Sequence, residues 1–455
     1  MSVRPYVLCG GSGTRLWPLS TPRRPKPLLQ LPGQPTTLLQ LTLNRLRELG
    51  TAEAVLVCGA AHEAAIGREA PGLRRMVEPV ARGTAAAIVA AALHARQEGP
   101  GPMLVVPSDH VVANVAAFSD AVRRGLPAAE AGELVLIGVE PTEPATGYGW
   151  IERSEGDPSA AVPVRRFVEK PDRVRAERLL AAGGFLWNGG MVLASPETVI
   201  REARRHAPDV LLAVERAFAG AESRGDATWL DGDALRHGPS VSFDVGVLER
   251  SDRVAVVGAA MGWSDVGSWD AVLDAAGADA DGGVTVGDVV ATDCSGSLLV
   301  QQGPRPVAAA GLQDTVVVSA EEGVLVVSRG ATQAVGALAR EFLGRIQRPW
   351  GDYEVLDRGP GYALKRLRVD PGQRTSLQRH RDRAERWTVV QGLAHVHLDG
   401  EATSLSVGQS IEVPRGAVHR LACGGHEPLV VVEVQLGERL AEDDIERFDD
   451  DYGRA

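Results

Sequence analysis

Cysteine is scarce in this chain. Its four copies in 455 residues, Cys9, Cys58, Cys294 and Cys423, are scattered without metal-ligand or disulfide-framework spacing. That excludes a disulfide-stapled secreted scaffold and suits buried small hydrophobes in a reducing compartment. Basic charge is also in deficit, 48 Lys and Arg against 59 Asp and Glu, so the net charge of −11 leaves no general footprint for nucleic acid. No apolar run approaches the roughly 20 residues of a membrane span, and the start of the chain lacks a signal-type apolar core. No membrane partner and a cytoplasmic location are therefore expected. What remains is an ordinary globular composition, 44% hydrophobic and 24% charged, at a length that calls for two or three domains.

Residues 1–270 alternate short buried strands with helical stretches. "YVLCG", "AVLVCG", "MLVVPSD" and "ELVLIGV" are apolar runs ending at Gly or Asp, and between them lie helix-spaced segments such as "TLLQLTLNRLRELG" and "GTAAAIVAAALHARQEG". The alternation predicts an α/β, Rossmann-like domain with a mostly parallel sheet, whose ligands lie at the carboxyl ends of the strands. Residues 271–345 change to short valine-rich strands between Gly, Pro and Asp turns, a β-rich connecting region with a helical stretch near 332–344. Residues 346–455 read as an all-β sandwich or small barrel, closed by an acidic stretch, "EDDIERFDDDYGRA", that reads as a short surface helix and tail.

The first strand breaks into "GGSGTR", which fits neither the Walker pattern nor GxGxxG. Gly10, Gly11 and Gly13 still allow backbone N–H groups to converge on phosphate oxygens. Arg15 and Lys26 add cations. Asp109 ends a strand in "VPSDH" and Asp265 sits in "GWSDVGSW", two carboxylates suited to a divalent metal. Glu169 and Lys170, in "RFVEKPD", suit a sugar hydroxyl and its phosphate.

These stretches, with "EPVARGTAAAI", "TGYGWIE", "WNGGM" and "SFDVGVLE", stand in the order seen in mannose-1-phosphate guanylyltransferases, and the sequence resembles that family. "RPWGDYEVL" and the acidic ending resemble its long form, fused to a type II mannose-6-phosphate isomerase domain. The resemblance implies transfer of GMP from GTP to mannose 1-phosphate, giving GDP-mannose for polysaccharide biosynthesis. It implies Arg15, Lys26, Asp109 and Asp265 as catalytic residues, with Mg²⁺ held by the two aspartates. Leu8, Gly10, Gly11, Gly13, Thr14, Glu78, Gly83, Thr84 and Ser108 would bind the nucleotide, and Gly147, Tyr148, Glu169, Lys170 and Asn188 the sugar phosphate. The family's "GRNTAPA" reads "ARGTAAA" here, so Gly83 replaces an asparagine near the base and a less strict guanine preference is expected.

In the C-terminal block, Gly372-x5-Gln378-x-His380-x4-Glu385-x6-Gly392 and Gly408-x5-Pro414-x-Gly416-x2-His419 match the two cupin motifs. Gln378, His380, Glu385 and His419 become candidate ligands for Zn²⁺ or another first-row divalent ion. His395 and His397 alternate with an apolar face and should point to solvent. Interconversion of mannose 6-phosphate and fructose 6-phosphate would need a base and a phosphate-binding cation, for which Lys365 and Arg420 are the candidates. The isomerase "HHHRAEHW" reads "HRDRAERW", so the ligands persist while the neighbouring histidines do not. A guanylyltransferase with a purely structural cupin and a silent nucleotide-sugar sensor stay open as alternatives, and a homodimer is the expected assembly.

Overall fold

The computed structural model describes residues 3–440 and 444–449, apart from positions 12, 23, 158, 343 and 344. The chain forms two compact units, Met1–Val335 and Gly336–Ala455. Among the described residues no helix is long and apolar enough to cross a membrane.

The first unit is built on an eleven-stranded sheet. The strand Arg4–Cys9 lies between Val55–Gly59 and Met103–Pro107, parallel to both, as the apolar runs predict. The sheet is mixed rather than mostly parallel. Phe185–Ala194 runs antiparallel between Met103–Pro107 and Leu134–Val139, and the hairpin strands Trp150–Arg153 and Val162–Val168 extend the far edge. A register shift between Leu136 and Gly138 sets Asn188 opposite Gly138, which aims "WNGG" at the same sheet edge as the glycine loop.

The helix Gly83–Gln97 is buried over almost all its length because its run of alanines leaves no bulk to hold the sheet away. Its first turn, where unpaired backbone N–H groups collect, belongs to the ligand cavity. Gly83 has φ +78°, and a Cβ there would lie 2.4 Å from the Val241 carbonyl oxygen. Only glycine meets both conditions without strain.

Residues 271–335 of the connecting region pack as part of the first unit, and 336–345 group with the second. Its strands alternate between two small sheets: Val284–Val286, Leu298–Gln301 and Thr315–Ala320 pair in parallel, and Val289–Thr292 pairs in parallel with Val307–Ala310. The chain thus coils, adding a strand to each sheet per turn.

The second unit is an antiparallel barrel of a six-stranded and a five-stranded sheet around one apolar core. The acidic ending departs from expectation. Ile445–Asp449 is a strand on Leu377–His380, not a helix, and residues 441–443 and 450–455 lie outside the described set. Glu446 accepts from Arg379 and Arg381, so cross-strand charge pairing outweighs the helical appearance of an Asp/Glu/Arg-rich segment.

Candidate active site

A cavity of about 490 Å³ opens at the carboxyl ends of the central strands, within the usual range for small-molecule sites. The glycine loop and the first turn of the Gly83–Gln97 helix form one wall, through Leu8, Gly10, Gly11, Gly83 and Thr84. At its far end lie Gly147, Tyr148, Glu169, Lys170 and Asn188.

Gly13 has φ +61°, and a Cβ on it would lie 2.5 Å from Lys26 Cβ. The loop's third glycine therefore lets the Lys26 stem pass beneath it. Lys26 Nζ then lies 2.9 Å from Asp109 Oδ2 and donates to the Asp265 carbonyl at 2.5 Å. Burial would raise the Asp109 pKa, but Lys26 and His110 hold its carboxyl below the usual range. Asp265 is held by the Tyr148 hydroxyl and the Gly267 N–H, both on Oδ1 at 2.8 and 3.1 Å. Among the described residues its Oδ2 has no hydrogen-bond partner. Val266 takes φ +40°, a strained conformation for a β-branched residue, just after this carboxylate.

The donors fit a divalent cation such as Mg²⁺: two carboxylates line one cavity, one kept ionised and the other with an oxygen to spare. Arg15 stands outside the cavity lining, on the 3₁₀ turn Thr14–Leu16, and Thr14 shares that turn.

Ser108 departs from its predicted role. It is fully buried, and its hydroxyl and N–H both donate to the Leu8 carbonyl, so it braces two strand ends instead of meeting nucleotide. Glu78 is the opposite case. Burial pushes its carboxyl up to about 7, and Oε1 is buried with no hydrogen-bond partner. At the far end of the cavity Lys170, with φ +41°, pairs with Glu169 at 2.8 Å. Asn188 Nδ2 donates to Asp244 Oδ1 at 2.8 Å, and burial together with Glu169 pushes Asp244 up to about 6. No motif role singles out Asp244, inside "SFDVGVLE". The same holds for His110, whose Nδ1 accepts from Trp263 Nε1 at 3.1 Å and whose pKa burial lowers to about 4.

A family model described as nucleotidyl transferase matches residues 4–282, and one described as mannose-6-phosphate isomerase C-terminal matches 338–450. The chain is 40% identical to the xanthan biosynthesis protein XanB of Xanthomonas campestris pv. campestris (strain B100), over 99% of each. It is 38% identical to mannose-1-phosphate guanylyltransferase of Escherichia coli (strain K12), over 99% of this chain and 98% of that one. The chain belongs to the mannose-1-phosphate guanylyltransferase family. A solved structure described as mannose-1-phosphate geranyltransferase from Thermus thermophilus matches with TM-score 0.68 and 35% identity, over 75% of this chain and 99% of that one.

Besides the guanylyltransferase domain the chain carries an isomerase-type cupin. His380, Glu385 and His419 are buried there, with ligand atoms within 4.8 Å of one another. The His419 Nδ1 faces the Ala417 carbonyl at 3.0 Å and the His380 Nδ1 the Asp444 carbonyl at 3.3 Å, which leaves each Nε2 for the cluster. Burial keeps both imidazoles neutral, His380 lowered to about 3, and among the described residues the buried His419 Nε2 has no hydrogen-bond partner. An unprotonated, orphaned nitrogen beside a carboxylate fits a divalent transition metal.

Gln378 meets the cluster with the wrong end. Its Oε1 accepts from the Ser376 hydroxyl while its Nε2 lies 3.4 Å from His380 Nε2. Arg383, not foreseen as a site residue, donates from Nε to Glu385 at 2.9 Å and lies 3.2 Å from His380 Nε2.

Lys365 does face the barrel interior, buried 4.8 Å from the Tyr353 ring centroid. Arg420 does not. Strand alternation turns it away from His419, and it donates to the Asp449 carbonyl and carboxylate outside. His395 is exposed and His397 partly so, while Ala394 and Val396 are buried. Also unforeseen are Glu433, which burial and Glu385 push up to about 7, and Gln435, which donates to both carboxylates. "LVVVEVQLG" carried that signal, since alternation sets Glu433 and Gln435 on the face of Val431.

Proposed function

We propose that this protein transfers GMP from GTP to mannose 1-phosphate, releasing pyrophosphate and forming GDP-mannose. The observation that carries this reading is one cavity lined by three chemistries in sequence: the Glu78 carboxyl, the Asp109 and Asp265 carboxylates that Lys26 bridges beside the glycine loop, and the Glu169–Lys170 pair with Asn188.

Glu78 supports the choice of base. Guanine offers N1–H and exocyclic N2–H to a carboxylate, whereas adenine presents an acceptor at N1. The phosphates lie along the loop N–H groups and the helix N-terminus. A phosphate oxygen of mannose 1-phosphate attacks the α-phosphorus, the new P–O bond forms, and the bond to pyrophosphate breaks in line. The nucleophile is already an anion, so no base has to take its proton. Arg15 and Lys26 neutralise charge on the departing pyrophosphate, and Tyr148 orients Asp265. Mg²⁺, when bound, would be held by Asp109 and Asp265 and would screen phosphate oxygens from one another. Incubating the protein with GTP, mannose 1-phosphate and Mg²⁺ and resolving nucleotides by anion exchange tests this. A GDP-mannose peak, lost in Asp109→Ala, is expected; unconverted GTP would overturn the reading.

A second reading concerns the cupin. Three-ligand convergence supports a bound divalent transition metal on His380, Glu385 and His419. The chamber beside it is about 60 Å³, enough for one or a few waters and not for a sugar phosphate. The small chamber supports weak or absent mannose 6-phosphate isomerisation. Robust, chelator-sensitive conversion to fructose 6-phosphate in a coupled assay would refute that.

A further inference from the structure

The residues lining the transfer cavity come from the first 265 positions, and one contact to a predicted catalytic residue beside it comes from the β-rich connecting region. Among the described residues the Arg15 guanidinium makes one hydrogen bond, from Nη1 to Gln333 Oε1 at 3.2 Å. Gln333 lies on the 3₁₀ turn Thr332–Ala334, at the end of the coil of short strands.

That turn is itself anchored. The Thr332 hydroxyl donates to Asp270 Oδ2 at 2.5 Å, and the Gly330 N–H reaches the same carboxylate at 3.2 Å. Arg329 adds an ion pair to Asp274 at 3.2 Å. Asp270 and Asp274 lie on the helix Trp269–Ala275, which starts just after Asp265. The circuit closes through Trp269 Nε1, which donates to the Trp17 carbonyl at 3.0 Å, two residues beyond Arg15. The Asp265 loop, the turn at 332 and the Arg15 turn therefore hold one another.

The chemistry of the acceptor is informative. An exposed arginine loses rotamer freedom when it is ordered on a ligand, and a fixed acceptor removes part of that loss in advance. A carboxylate could do the same but would neutralise the charge the leaving pyrophosphate needs. An amide oxygen orients the guanidinium and leaves its charge intact.

We propose that Gln333 is a positioning residue for Arg15, so that the connecting region completes the guanylyl-transfer site. This rests on the transfer reading above. Steady-state kinetics with GTP and mannose 1-phosphate test it in the full-length protein, on Gln333→Met, Gln333→Glu, Arg15→Ala and the Arg15→Ala/Gln333→Met double variant. Methionine keeps the side-chain length and removes the acceptor. It should lower kcat about tenfold, within what misplacing a reacting group costs, with KM for mannose 1-phosphate and the melting temperature unchanged. Glutamate keeps the contact and should still lower kcat, because it neutralises Arg15. In the Arg15→Ala background the methionine change should have no further effect. Wild-type kcat in Gln333→Met, or a loss that persists without Arg15, overturns the inference. A wild-type protein with no turnover overturns the transfer reading and this inference with it.

Discussion

Lysine occurs three times in this chain, at 26, 170 and 365, among 48 basic residues. Each lysine faces a candidate site: Lys26 bridges Asp109 and the Asp265 carbonyl, Lys170 pairs with Glu169, and Lys365 is buried in the barrel. A chain that uses arginine almost everywhere keeps lysine where a compact point charge fits and a planar fork does not. Lys26→Arg should therefore behave like Lys26→Ala, with kcat lower by about a hundredfold in each. Full activity in Lys26→Arg would refute the geometric argument. Glu78 gives a pH prediction. Guanine binds the ionised carboxylate, and the free protein holds the group near 7, so GTP binding releases a proton on the acid side. KM for GTP should fall as pH rises from 6 to 8, and Glu78→Gln should flatten that slope and weaken preference over ATP. A slope unchanged in Glu78→Gln would place the titrating group elsewhere. Motif-borne residues such as Asp109 were legible in the sequence. The burial of Ser108 and its bonds to the Leu8 carbonyl were not legible, because a hydroxyl beside Asp109 reads alike whether it faces the cavity or the core.

Among the elements, the apolar strands and the alanine-rich helix were legible because period and end signals agree. The direction of Phe185–Ala194 was not, since a buried strand reads alike in parallel and antiparallel company. The closing strand Ile445–Asp449 was hidden by its charge, although the residue that leads into it, Asp444, supplies the carbonyl that orients His380. Gly83→Asn, which restores the family residue, should destabilise the protein by about 1–3 kcal/mol, because the new Cβ meets the Val241 carbonyl in a positive-φ conformation. An unchanged urea midpoint would show that the helix start moves freely. In the barrel, His380→Ala and His419→Ala should each abolish retention of a divalent transition metal by the full-length protein, read by elemental analysis. Equal retention in both variants would place the metal elsewhere.

At the scale of the whole molecule, the change from α/β to β-rich sequence near 270 was legible, but the grouping of the connecting region with the first unit was not. Short valine strands carry no sign of what they pack on. Contacts such as Arg15–Gln333, 318 residues apart in sequence, can only be seen in three dimensions. The proposed reaction is guanylyl transfer at the cavity beneath the glycine loop. Its decisive measurement is pyrophosphate release from each of the four ribonucleoside triphosphates, with mannose 1-phosphate and Mg²⁺, in the wild type and in Asp265→Ala. Release should be fastest from GTP, slower but measurable from another triphosphate, and almost nil from Asp265→Ala. Undiminished release by Asp265→Ala, or no preference for GTP, would contradict it.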